Sequence, residues 1–414
     1  MKKNKSGFTL IELLAVIAIL AIILVISIPK ILDVIETSKI NALKNAVKLI
    51  ADSAEKKYTE NEAFGEENEI TCDSVSKLNK EDYNKCTIIF DENGIAKVSI
   101  LGRGKFKGLK VIEATKTNAE VKEITKPTYR MKATEYISNL YEYDGEGLKK
   151  DNTPNENIRY YGSNPNNYVI FNNELWRIIG VFGNNVKLIR KDSLGRFSWD
   201  SSESNVNGGW GVNEWSQSDL KNYLNTMYYG GTSVTCYNGQ NKKEVTCPAN
   251  KLDNTSKSLI DNYTWNTGAI ELGKASDTLA FYKDERGNLT GLINNDTVER
   301  TTTWPGYIGL PYATDWAYAS GNDICEVNMR SKDSSNKFIC LNDNWMSKGE
   351  EYWTLSPRAS NVDSIWMVSN FVSVWTNSAS SPYALHPSIY LKNNVQIISG
   401  TGASSDPYIL KVGA

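Results

Sequence analysis

The sequence predicts an α+β protein: a long N-terminal helix backed by a small antiparallel sheet, followed by a larger, loop-rich, Trp-rich and mainly β domain. Three observations carry this. From Phe8 to Ile28 a single ionisable residue, Glu12, interrupts an otherwise uncharged apolar run. Asn93-Gly94 lies between two β-rich stretches. All eleven tryptophans fall between Trp176 and Trp375, whereas the first 130 residues hold none. The composition changes across Ile124–Thr128, so the expected segments are a leader at 1–7, an apolar helix at 8–28, helix plus small sheet at 29–127 and the aromatic domain at 128–414.

An apolar run of about 20 residues is what an α-helix needs to cross about 30 Å of hydrocarbon. Lys2, Lys3 and Lys5 precede it and a long polar chain follows, which places the N-terminus in the cytoplasm and the remainder outside. An ordinary secretory signal is cut on the far side of its apolar core, but here the small residue Gly7 lies before the core, so the helix is expected to be kept. Glu12 is costly within hydrocarbon, where a carboxylate normally finds a partner or marks a function; the alternative is a glutamate that snorkels to the interface. Beyond Pro29, the residues Leu32, Ile35, Ile40, Leu43, Val47, Ile50 and Ala54 recur near helical spacing. This predicts an amphipathic continuation to about Tyr58, a rod of about 75 Å. Pro29 removes one backbone hydrogen bond and is expected to bend or loosen it.

The stretch Ser6-Gly7-Phe8-Thr9-Leu10-Ile11-Glu12, with its short basic leader, the uncharged run behind it and Pro29, resembles a type IV prepilin. The resemblance implies cleavage between Gly7 and Phe8 and N-terminal methylation by a prepilin peptidase/N-methyltransferase. It implies that Glu12 meets the freed amine of Phe8 of a neighbouring subunit during assembly. The partners it implies are other pilin subunits, a pilus assembly platform and, before assembly, the membrane, with the chain reaching the cell surface or an envelope pseudopilus afterwards.

Past Gly65, Thr87–Phe90 and Ile95–Ile100 flank a turn at Asp91–Gly94, which predicts a hairpin. A third strand is expected around Leu109–Ile112. The six cysteines fall as close pairs, Cys72 with Cys86, Cys236 with Cys247 and Cys325 with Cys340. Even number and extracellular placement favour disulfides. Six cysteines allow fifteen connectivities; sequential pairing closes short loops without any contact between domains, each bond contributing about 2–4 kcal/mol. Metal binding lacks the ligands, with no C-x-x-C and one histidine in the chain.

The aromatic domain is expected to open with a helix at Ala133–Tyr141, then a meander from Asn167 to Arg190 turning at Asn172-Asn173. A helix follows from Trp215, capped by Ser216 or Ser218, and later strands lie at Tyr307–Leu310, Tyr352–Pro357, Ser364–Val368 and His386–Leu391. The order Trp-Arg-Ile-Ile-Gly-Val, Trp-Thr-Leu-Ser-Pro and Pro-Ser-Ile-Tyr-Leu resembles an extracellular domain of Gram-positive surface and pilin-like proteins. It is also similar to the lectin-like fold of C-type lectins and formylglycine-generating enzymes. These likenesses imply a location and a loop-rich fold, and no reaction.

The formal net charge of −2 argues against a nucleic-acid binder. His386, the one imidazole, precedes Pro387 and has no nearby serine or cysteine that the sequence can pair with it, and the cysteines are better used in disulfides, so no catalytic residue and no cofactor is expected. Trp and Tyr beside Asn, Asp and Ser suit sugar faces and protein contacts. Trp176, Trp353 and Trp366 are assigned to the core. Trp199, Trp210, Trp215 and Trp375 are the expected exposed contacts for a glycan or host-surface ligand, with the loop from Phe197 to Trp210 preferred. The expected function is a minor or tip pilin displaying an adhesive domain. The alternatives are a major pilin, a pseudopilin of a type II secretion or DNA-uptake machine, and a membrane-anchored surface enzyme.

Overall fold

The computed structural model describes residues 10–65, 68–75, 78–271, 273, 276–287, 301–359, 361–371 and 373–413. It divides into two compact units, one of residues Met1–Lys126 with Glu142–Asp144, the other of Pro127–Tyr141 with Gly145–Ala414.

In the first unit helix α1 spans Leu10–Phe64 and continues through Pro29. At 1.5 Å per residue it is about 80 Å long. Its C-terminal half buries Leu43, Val47, Ile50, Ala51 and Ala54, a stripe at helical spacing. That stripe meets the inward residues of an antiparallel sheet of four strands in sequence order: β1 (Tyr83–Phe90), β2 (Ala96–Gly102), β3 (Leu109–Ala114) and β4 (Val121–Glu123). Ala96, Val98 and Ile100 alternate inward along β2, with Leu109 and Val111 from β3, because side chains of a strand alternate between its faces. The hairpin is in register, with Ile88 opposite Val98 and Phe90 opposite Ala96. Its turn needs Gly94 at φ +72°, where a Cβ would also lie 2.9 Å from the Tyr58 ring. β4 is an addition to the three strands expected from the sequence. Cys72 and Cys86 form a disulfide.

The second unit holds the helix Ala133–Tyr143 as far as Tyr141 and contains two large sheets. In the first, β5 (Leu148–Lys150) pairs with β6 (Ile158–Tyr160), and β6 with β8 (Glu174–Phe182), which lies between β7 (Tyr168–Phe171) and β9 (Asn185–Arg190). Asn172 and Asn173 take φ values of 55° and 59° in the two-residue turn between β7 and β8, a conformation that asparagine tolerates better than most residues. The strand Ser388–Tyr390 pairs with β9, and Tyr408–Val412 runs parallel to β7. The C-terminus thereby returns to the entrance meander. The second sheet orders Arg196–Phe197, Tyr383–Ala384, Tyr352–Pro357, Ser364–Ser369 and Ser373–Ser378, the last at an edge.

The helix expected from Trp215 is a composite. A 3₁₀ turn at Trp215–Gln217 leads to Ser218, whose Oγ accepts the Lys221 N–H at 3.1 Å, then one α turn and a π-helical stretch at Tyr223–Tyr229. Leu220, Tyr223 and Leu224 are buried as one face. Near Tyr307–Leu310 the strand is confined to Ile308–Gly309. Cys236–Cys247 and Cys325–Cys340 complete three disulfides between sequence neighbours.

Candidate functional site

Among the described residues of the N-terminal half of α1, none is buried. Leu10, Ile11, Leu13, Leu14, Val16, Ile17, Ile19 and Leu20 are exposed, and exposed apolar residues continue to Ile35. This is the one helix among the described residues long and apolar enough to cross a membrane. Such a surface is unsustainable in water and calls for lipid or other helices around it. Glu12 lies in the first turn of the described helix, within that apolar surface. Gly7 and Phe8 lie outside the described residues.

The aromatic contact loop is corrected in part. Trp199 and Trp215 are 0 % and 1 % exposed, so they are core and not contacts. Trp199 Nε1 donates to the Thr354 carbonyl at 3.2 Å, and its ring lies 5.3 Å from that of Trp215, which in turn meets Trp304 edge-on. Their polar neighbours point inward to satisfy backbone. Ser198 Oγ donates to the Ser380 carbonyl, and the Asp200 carboxylate accepts the N–H groups of Val212 and Asp219. Polarity flanking a tryptophan here marks a loop whose amides need partners, not a ring facing water.

Trp210 and Trp375 are about half exposed, at 45 % and 46 %. The Trp210 carbonyl accepts from Ser380 N and from Ser378 Oγ, and Ser378 ends the edge strand that carries Trp375. The Trp210 main chain thus lies against the end of the edge strand that carries Trp375. The Arg330 guanidinium lies 5.1 Å from the Trp375 ring.

Beneath that edge sits an acidic pair. Burial, and then repulsion from Asp219, pushes the Asp200 carboxyl from its ordinary 3.8 up to about 6. Between these values the folded chain holds a proton that the unfolded chain has released. Stability from this group is therefore expected to fall as pH rises from about 4 through 6, by up to about 2 kcal/mol. Thermal unfolding at about pH 4.5 and pH 7.5 checks this. Asp219→Asn, which removes the neighbouring charge, is expected to shrink the difference between the two midpoints.

Sequence reasoning missed a buried ionic network in the second unit. Arg159 Nε donates to Asp151 Oδ2 at 2.8 Å and Nη1 to Asp315 Oδ1 at 2.6 Å, while Lys187 Nζ donates to Asp315 Oδ2 at 2.6 Å. All four side chains are at most 1 % exposed. The Arg159 guanidinium lies 4.4 Å from the Phe182 ring and 4.9 Å from that of Tyr318. Buried Glu285 accepts from Thr314, Ser356 and Arg286 close by. The available signal was a cation within an apolar strand, Arg159 in β6 and Lys187 in β9. His386 is buried with Nδ1 3.1 Å from the Arg190 carbonyl and Nε2 3.0 Å from Glu350, a structural setting. Among the described residues no three His, Cys, Asp or Glu side chains converge as metal ligands.

A family model for the prokaryotic N-terminal methylation motif matches residues 2–28. No curated protein and no solved structure matches the chain. The motif and the long apolar helix that follows it together support a prepilin-like protein.

Proposed function

We propose that the chain is a type IV pilin-like filament subunit, a minor or tip pilin that displays its C-terminal domain as an adhesive, non-catalytic module. The exposed apolar half of α1 is the observation that carries this reading. Before assembly lipid covers it. In a filament the corresponding helices of other subunits do, with Glu12 opposite the Phe8 amine of a neighbour after a prepilin peptidase has cut behind Gly7. A second unit of Pro127–Tyr141 and Gly145–Ala414 on every subunit would crowd a filament, which favours rare incorporation or a tip position. Trp210 and Trp375 supply the contact surface for a glycan or host-surface ligand.

Mass spectrometry of filaments sheared from cells tests the reading. A peptide beginning at Phe8, present in small proportion to other pilins, is the expected result. Equal abundance would make the chain a main structural subunit. Absence from filaments, with an intact Met1 in membranes, would make it an anchored surface protein instead. The adhesive part is tested on Trp210→Ala and Trp375→Ala. Each is expected to weaken binding to mucin glycans about tenfold, near 1.4 kcal/mol, while shifting stability by less than about 0.5 kcal/mol. Unchanged binding would remove this edge as the contact site. Trp199 and Trp215 are unsuitable for that experiment because their loss would report on folding.

A further inference from the structure

Lys187 and Asp315 lie 128 residues apart in sequence and meet where water does not reach. Lys187 extends from β9 and Asp315 from the helix Ala313–Tyr318. The ammonium is lined by aromatic rings, with Tyr312, Trp265 and Tyr390 centroids at 4.1, 5.3 and 5.4 Å. The carboxylate's other oxygen is held by Arg159, and Tyr312 N–H donates to the oxygen that Lys187 meets. We propose that Lys187 and Asp315 condense into an intramolecular amide bond that ties β9 to this helix.

The reaction balances within the pair. The contact between Nζ and Oδ2, at 2.6 Å, is the path by which a proton passes from ammonium to carboxylate, leaving an amine and a carboxylic acid. The Nζ lone pair then attacks Cγ. Arg159, aimed at Oδ1, stabilises the negative charge that develops there. One carboxyl oxygen leaves as water with two of the three ammonium hydrogens, and the third stays on the amide nitrogen. No oxidant or co-reactant is consumed.

Three physical features favour condensation at this site. Reactants held in contact by a folded core react with effective molarities far above those in solution. Burying two ions costs several kcal/mol each, and the amide removes both. The network also stays neutral throughout: Asp151, Arg159, Asp315 and Lys187 balance as two anions and two cations before the reaction, and Asp151 with Arg159 balance alone after it. Burial pushes the Lys187 ammonium down to about 8, against the pull of Asp315, which raises the amine fraction. Burial raises the Asp315 carboxyl while Lys187 and Arg159 hold it down at about 2, so the ion pair is the resting form and the neutral pair a minor one on which the attack draws. Once formed, the amide is sealed from hydrolysis by the same exclusion of water.

Tandem mass spectrometry of the full-length chain, extracted in detergent, reduced and digested, tests the proposal. The expected product is a branched peptide joining Lys187 to Asp315, lighter than its two linear parts by one water, with no tryptic cleavage after Lys187. Lys187→Arg keeps a cation beside Asp315 but cannot form this amide. It is expected to restore the linear Asp315 peptide while retaining the far-ultraviolet spectrum of the fold. Recovery of both linear, unmodified peptides from folded wild-type chain would overturn the proposal and leave an ordinary buried ion pair. So would a lost water located elsewhere, such as an aspartyl succinimide.

Discussion

Arg159→Met is expected to destabilise the second unit by about 3–5 kcal/mol, because removing one partner leaves a buried charge uncompensated. Arg159 joins Asp151 to Asp315, and methionine would leave Asp151 with only the neutral donors Thr153 and Asn157. The aliphatic replacement fills similar space, so a large loss would report charge and not a cavity. Urea denaturation followed by tryptophan emission is the natural measurement. All eleven tryptophans lie between Trp176 and Trp375, inside the second unit, so the signal is silent on α1 and its sheet. Combining Arg159→Met with Asp151→Leu is expected to recover part of the loss, since the remaining anion would disappear with its partner. A midpoint within experimental error of wild type for Arg159→Met would mean that the network contributes nothing.

Glu12→Gln is expected to leave membrane insertion intact or improved and to reduce recovery in sheared filaments at least about tenfold. A carboxylate within an apolar span is unfavourable in lipid, so its removal eases insertion. On the reading proposed above, the same charge meets a neighbour's amine between packed helices. Deleting one member of such a pair leaves the other buried, at a cost of about 3–5 kcal/mol, more than enough for a tenfold effect. The ratio of membrane to filament material, measured by immunoblot, separates assembly from insertion. Equal incorporation of the variant would assign Glu12 to the membrane interface alone.

Elements whose causes are local were legible in the sequence. The stripe from Leu43 to Ala54, the Asn93-Gly94 hairpin, the Asn172-Asn173 turn and the strand Tyr352–Pro357 each follow from periodicity or turn chemistry over a few residues, and each is present. The Trp215 region was read as one helix because Leu220, Tyr223 and Leu224 share a face in any helical winding, whether α, 3₁₀ or π. Elements set by distant partners were not legible. The role of Lys187 could not be read because its partner Asp315 is 128 positions away. Trp199 looked exposed because its neighbours Ser198 and Asp200 are polar, yet those side chains serve the Ser380 carbonyl and the Val212 amide. Of the candidate site, the apolar surface around Glu12 was legible from composition, whereas the approach of Trp210 to the edge strand that carries Trp375 depends on how two remote segments pair.

The three disulfides close spans of 14, 11 and 15 residues, and every cysteine is bonded to its nearest unpaired neighbour along the chain. A polypeptide threaded outward from the membrane presents these residues in just that order. Each thiol therefore meets its native partner before a wrong one has emerged, and short segments close fastest. On the reading proposed above, maturation beyond the membrane then needs only an undiscriminating oxidant. A catalyst for reshuffling mispaired cystines has nothing to correct, so loss of isomerase activity should leave the yield of this chain unchanged.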